Sequence, residues 1–123
     1  MKHSPGFLRL AEDARQRILE VTIDDVHGMI ERGDRFHLID VREESEWANG
    51  HLPGACHLSK GIIERDIENV IPEPDAPIVV YCGGGFRSAL AADNLQKMGY
   101  VNVASMAGGW RGWIEADLPV EKG

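Results

Sequence analysis

The chain has 123 residues, 43% of them hydrophobic and 27% charged, with a formal net charge of -7. That length supports one domain around one core, and the acidic balance argues against nucleic acid or an anionic membrane surface as the main partner. Two cysteines, Cys56 and Cys82, are too few for a disulfide framework and suit a reducing compartment; charges break every apolar run in the first twenty residues and no segment is long enough to cross a bilayer, so a cytoplasmic location is expected.

Apolar residues at Phe7, Leu10, Ala11, Ala14 and Ile18 recur at helical spacing and predict an amphipathic helix from Phe7 to Leu19, started near Ser4-Pro5. This helix forms an extension over residues 1–20, ahead of a main domain over 21–123. A short strand is expected from Val21 to Ile23. Thr22 and Asp25 have the spacing of a capping box, so a helix continues to Arg32 and stops at Gly33. His37 to Val41 reads as a strand, Glu43 to Asn49 as a short helix ended by Gly50, and Ala55 to Leu58 as a small strand. Ile62, Ile63, Ile67, Val70 and Ile71 trace a helical face before Pro72. The run Pro77 to Tyr81 is the strongest strand, β-branched and bounded by prolines. Ser88 to Met98 is the strongest helix, closed by Gly99; a strand from Asn102 to Ser105 and a helix from Trp110 to Ala116 complete the chain. Alternating strands and helices of this size predict an α/β domain with a mostly parallel central sheet.

The chemistry concentrates where the strongest strand meets the strongest helix. In open α/β sheets, ligands bind outside the carboxyl ends of strands, and Cys82 stands there. Gly83, Gly84 and Gly85 let the loop curl with its N–H groups pointing inward, which together with the positive end of the next helix makes an anion site. The same field favours thiolate over thiol. Arg87 adds a positive charge, and Ser88 is placed to cap the helix or donate to the anion. Phe86 either shields the sulfur from water or packs beneath the helix.

With these residues in view, the chain resembles the rhodanese-like sulfurtransferases. CGGGFRS, Cys82 to Ser88, is similar to that family's active loop, which runs from a cysteine to an Arg or Thr that begins a helix. LIDVREESEWANGHLPGACHL, Leu38 to Leu58, is similar to its signature DVR-x-x-x-E-[FWY]-x-x-G-H-[IL]-P-G-A, and SMAGGWRGWIEADLPV, Ser105 to Val120, to its closing Gly-Gly, spaced tryptophans and Leu-Pro. The resemblance covers roughly residues 21 to 120 and implies a five-stranded parallel sheet with helices on both faces. It implies a Cys82 persulfide formed from thiosulfate or another persulfide and passed to cyanide, a thiol or a protein sulfur carrier, with no metal or organic cofactor. Thiosulfate-using members commonly carry a basic residue within the loop. Positions 83 to 86 have none, which leaves room for a protein or low-molecular-weight persulfide as donor.

The remaining polar residues take supporting parts. Asp40 closes its strand near the active edge and either orients the loop or a substrate, or caps the turn before Glu43. Arg42 and Glu46, four apart, are expected from the family pattern to pair and hold the following segment. His51 is assigned to stabilising a turn, Cys56 to the core, and Trp47, Trp110 and Trp113 to packing. Five scattered histidines have no metal-ligand spacing. Two rival functions stand beside sulfur transfer. A non-catalytic binding module is disfavoured by the intact Cys82 and Arg87. A phosphatase or arsenate-reductase-like enzyme is disfavoured by four residues between Cys82 and Arg87, where phosphatases of this fold place five.

Overall fold

In the computed structural model, which describes residues 3–122, the β-branched run after Pro77 becomes the centre of a sheet. The elements are α1 (Pro5–Arg15), β1 (Leu19–Val21), α2 (Ile23–Arg32), β2 (His37–Asp40), α3 (Glu44–Ala48), β3 (Cys56–His57), α4 (Ile63–Val70), β4 (Ile78–Tyr81), α5 (Phe86–Lys97), β5 (Val103–Met106) and α6 (Gly109–Glu115). All four strand pairings are parallel, in the order β1-β5-β4-β2-β3. β4 is buried at all four positions, as a strand covered on both faces must be.

Period-two alternation decides which side chain faces which layer. Ile39, Ile78, Val80 and Cys82 point to one side, where Ile63 and Ile67 of α4 and Ala91, Ala92 and Leu95 of α5 cover them. Leu38, Val79 and Tyr81 point to the other, against Val26 of α2 and Trp113 of α6. From β2 the chain steps outward to β3, then crosses back to β4 and on to β5. Strand order therefore reverses between β2 and β4, where open α/β sheets leave a crevice beyond the strands' carboxyl ends. Asp40 ends β2 there, and Cys82 follows β4.

Several boundaries move from their sequence expectation for identifiable reasons. β1 is Leu19–Val21 and not 21–23, because Thr22 caps α2 through the reciprocal bond with Asp25 and Ile23 is already helical. α1 ends at Arg15, so Ile18 belongs to the connection that leads into the sheet. α5 starts at Phe86, two residues early, because Gly85 at φ +98 supplies the turn. Cys56 is exposed and not in the core: β3 is a two-residue edge strand. Both cysteines are free thiols, one exposed and one buried.

α1 lies along α5. Its buried Ala11 and Ala14 allow close approach, and just beyond its end Arg17 grips Asp93 of α5 at 3.0 and 2.8 Å. Asp93 is 5% exposed, and the Arg17 hydrogen bonds, more than any other influence, hold its carboxyl below the ordinary range. A depressed folded-state value stabilises fully above the unfolded value of about 3.9 and is lost as pH falls through the folded one. Asp93→Asn should therefore lower Tm at about pH 7 and hasten proteolysis in α1. The gap from wild type should shrink progressively below about pH 4. A gap that stays constant on acidification would show that the charge of Asp93 is not what fastens α1.

Candidate active site

Cys82 leaves β4 on the α4–α5 side, 1% exposed, with its sulfur directed at the beginning of α5. Sγ accepts the backbone N–H of Gly85 at 3.1 Å and that of Ser88 at 3.3 Å. The Ser88 hydroxyl lies 3.5 Å from Sγ as acceptor for the thiol, and Ser105 Oγ of β5 donates to Ser88 Oγ at 2.8 Å. Ser88 is the third residue of α5 and fully buried, so it does not cap the helix as its position in sequence suggests. The sulfur thus sits at the N-terminal end of a twelve-residue helix, with two backbone N–H groups directed at it.

The loop's carbonyls are satisfied from outside. The N–H groups of Trp110 and Arg111 donate to the carbonyls of Cys82, at 2.7 Å, and Gly83, at 3.0 Å. Arg15 reaches from α1 to the carbonyl of Gly85 at 3.4 Å. Gly109 makes the first contact possible: its φ is +55, and a Cβ there would collide with the carbonyl oxygens of Cys82 and Gly83.

Two pairings differ from expectation. Arg42 does not pair with Glu46; it makes a buried fork with Asp40 at 2.8–3.1 Å and donates to the Gly50 carbonyl. The i,i+4 rule holds only along a helix, and α3 does not begin until Glu44. Asp40 also accepts the N–H of Arg42 and the hydroxyl of Tyr81, which in turn accepts the N–H of Leu52. Asp40 therefore caps its own turn and has no bond to the loop. Burial, followed by the charge of Asp40, pushes the Tyr81 phenol far up, so it stays a donor.

Glu46 instead holds Arg87, with Nη1–Oε1 at 2.8 Å and Nη2–Oε2 at 3.2 Å. These bonds lower the Glu46 carboxyl and raise the Arg87 guanidinium, burial opposing each; the Cys82 sulfur adds a smaller contribution to holding Arg87 charged. The charge of Arg87 is consequently matched by a carboxylate.

A cleft of about 510 Å3 opens beside Cys82, lined by Gly83, Gly84, Phe86 and Arg87. Glu43, Ser45, Glu46 and Arg111 of α6 line it as well. His3 and Phe7 of the N-terminal segment supply the rest, with the Phe86 ring packed against theirs, so Phe86 is a wall of the cleft and not a plug beneath the helix. Sequence reading missed Ser105, Arg111 and the N-terminal side chains here; the unpaired apolar stripe of α1 was the available signal that it must cover something. Trp47 stacks on His51 at 3.6 Å between ring centroids, while His51 Nδ1 lies 3.0 Å from the Leu52 carbonyl, consistent with a turn-stabilising role. Among the described residues no cluster of three or more His, Cys, Asp or Glu could hold a metal, and no helix is long and apolar enough to cross a membrane.

A parallel α/β sheet whose central strand delivers a cysteine into a loop of N–H donors defines a small class of proteins. The chain belongs to the family of the Rhodanese-like domain, whose profile matches residues 22–116. It is 35% identical over 102 residues to the thiosulfate sulfurtransferase GlpE of Haemophilus influenzae, covering 83% of this chain and 93% of that one. Among solved structures it is similar to a protein of unknown function from Rhodopseudomonas palustris, named a possible tyrosine phosphatase, with a TM-score of 0.87, 30% identity and 98% coverage of both chains. It is also similar to the polysulfide-sulfur transferase homodimer of Wolinella succinogenes, with a TM-score of 0.80 and 26% identity, covering 96% of this chain and 88% of that one. α1 lies outside the family match yet inside the span shared with both structures.

The tight approach of α6 to the loop gives a direct check. Gly109→Ala should push α6 off the Cys82 and Gly83 carbonyls, cost about 2 kcal/mol or more of stability, and change the rate at which iodoacetamide alkylates Cys82. Unchanged Tm and alkylation would mean that the loop does not depend on this contact.

Proposed function

We propose that this protein is a sulfurtransferase that carries sulfur as a Cys82 persulfide. The observation that supports it most is the Cys82 sulfur held under the N–H groups of Gly85 and Ser88 beside an open cleft. The Cys82 thiol loses its proton to solvent and its thiolate attacks the outer sulfur of thiosulfate or a persulfide. The donor's S–S bond breaks and its electron pair leaves with sulfite or a thiolate. The new terminal sulfur is an anion, stabilised by the Gly83–Ser88 segment, whose Gly85 and Ser88 N–H groups already point at Sγ. A second nucleophile, cyanide or a thiol on a small molecule or a protein sulfur carrier, then takes that sulfur and returns the Cys82 thiolate. Neither step moves electrons to an acceptor or polarises a carbonyl, so the chemistry requires no metal or organic cofactor. In this reading Gly83, Gly84, Gly85, Phe86, Arg87 and Ser88 form the substrate cradle, while Asp40, Arg42 and Glu46 keep it in position.

The names of the Haemophilus and Wolinella proteins agree with sulfur transfer, and the Rhodopseudomonas neighbour brings phosphatase activity forward as the second reading. Two features favour the first. Four residues separate Cys82 from Arg87, so the ring is small. The Arg87 fork is spent on Glu46 and is not free to clamp a phosphoryl group.

Intact mass decides between them. Thiosulfate should add one sulfur, about 32 Da, to the wild type and none to Cys82→Ser, and cyanide should remove it. Aryl phosphate hydrolysis with no sulfur gain would overturn the proposal. Because Arg87 is fixed by Glu46, Arg87→Ala should slow loading from thiosulfate and discharge of the preloaded enzyme alike, each about tenfold. A loss confined to loading would assign Arg87 to recruiting the donor.

A further inference from the structure

We propose that α1 and Arg111 build a specificity subsite beside Cys82 for an organic sulfur donor, one with an apolar body and an anionic group next to its transferable sulfur, such as an aryl or alkyl thiosulfonate. This inference rests on the sulfur-transfer reading of Cys82 and names the donor class that the cleft selects.

The first argument is size. Cavities of roughly 300–1,000 Å3 hold organic ligands of many heavy atoms, and this cleft of about 510 Å3 far exceeds what an inorganic oxyanion fills. The second is the character of the wall. His3, Phe7 and Phe86 form a three-ring cluster with centroid separations of 4.7, 5.2 and 6.1 Å. Arg15 lies over the Phe86 ring at 4.6 Å and also holds the Gly85 carbonyl, so the ring nearest the loop is fixed. Such a surface adds nothing for a small hydrated anion, whereas an apolar body pressed against it leaves water.

The third argument is charge. Arg87 is matched by Glu46. Arg111 has no salt bridge among the described residues. Its Nη1 stands 3.6 Å from the point where a Gly84 side chain would begin, so it overhangs the loop and the absent side chain keeps the approach open. Of the two carboxylates that line the cleft, Glu46 is already matched by Arg87, which leaves Arg111 as the cation open to a ligand's charge. An anionic group is therefore drawn to Arg111, with the apolar body against the α1 wall.

Two unreactive ligands that differ only in the body, benzenesulfonate and methanesulfonate, test this without any sulfur being transferred. Calorimetric titration of the wild type should give benzenesulfonate about tenfold tighter binding. Phe7→Ala should bring the ratio to within about threefold, and Phe7→Leu, which keeps an apolar wall, should retain most of it. Arg111→Gln should weaken both ligands by about two- to fivefold and leave their ratio unchanged. Equal binding of the two ligands to the wild type, no binding of either, or a ratio untouched by Phe7→Ala would overturn the subsite. Failure of Cys82 to gain sulfur would strike the sulfur-transfer reading instead, since the sulfonate ratio does not depend on it.

Discussion

The buried pair of Asp40 and Arg42 is the constraint on which the active edge depends. Both residues are nearly solvent-free, at 0% and 2% exposed, and each charge is fully met. Asp40 receives the Arg42 fork, the Arg42 N–H and the Tyr81 hydroxyl, while Arg42 also donates to the Gly50 carbonyl and lies 4.5 Å from the Trp110 ring. Four separate parts of the chain converge on it: the end of β2, the end of β4, the turn after α3 and the start of α6. Removing one partner of such a pair strands the other charge at a cost of about 3–5 kcal/mol. Tyr81 immediately precedes Cys82, so the pair fixes the strand end from which Cys82 leaves.

What sequence could reveal, and what it could not, follows from the range of the interactions. The Pro77–Tyr81 run, the glycines and the helix after them are local, and each was legible because backbone preference decides it. Ser88 was visible as a residue but not in its role, since burial beside Ser105 depends on a strand fifteen residues further on. The Arg42–Glu46 expectation applied a helix spacing to residues that do not share a helix. Arg87 and Glu46 are 41 residues apart, and no local pattern marks their bond. The exposure of Cys56 was hidden for the opposite reason: ACHL looks like a core strand, and only strand order makes it an edge.

The proposed sulfur transfer would require this acidic chain to separate its near field from its far field. Net charge acts at a distance and is screened over about 10 Å at ordinary ionic strength. The N–H groups of Gly85 and Ser88 act at 3.1 and 3.3 Å, well inside that length. Glu46 deepens the division by matching the charge of Arg87, which leaves most of the attraction at the sulfur to backbone dipoles. Affinity at the sulfur can then be held constant while side chains at the rim, Arg111 among them, vary with the molecule to be admitted.

The two hydrogen bonds from α6 to the loop carbonyls also act as a ruler. Trp110 and Arg111 read off consecutive residues, Cys82 and Gly83, in register, with Gly109 too close for any added atom. A loop lengthened by one residue would have to bulge entirely within Gly84 and Gly85, or else break register with α6 and unseat Trp113 from the opposite core. Ring size is thus coupled to the far end of the chain, and an enlarged ring that keeps α6 in place has only Gly84 and Gly85 to expand through.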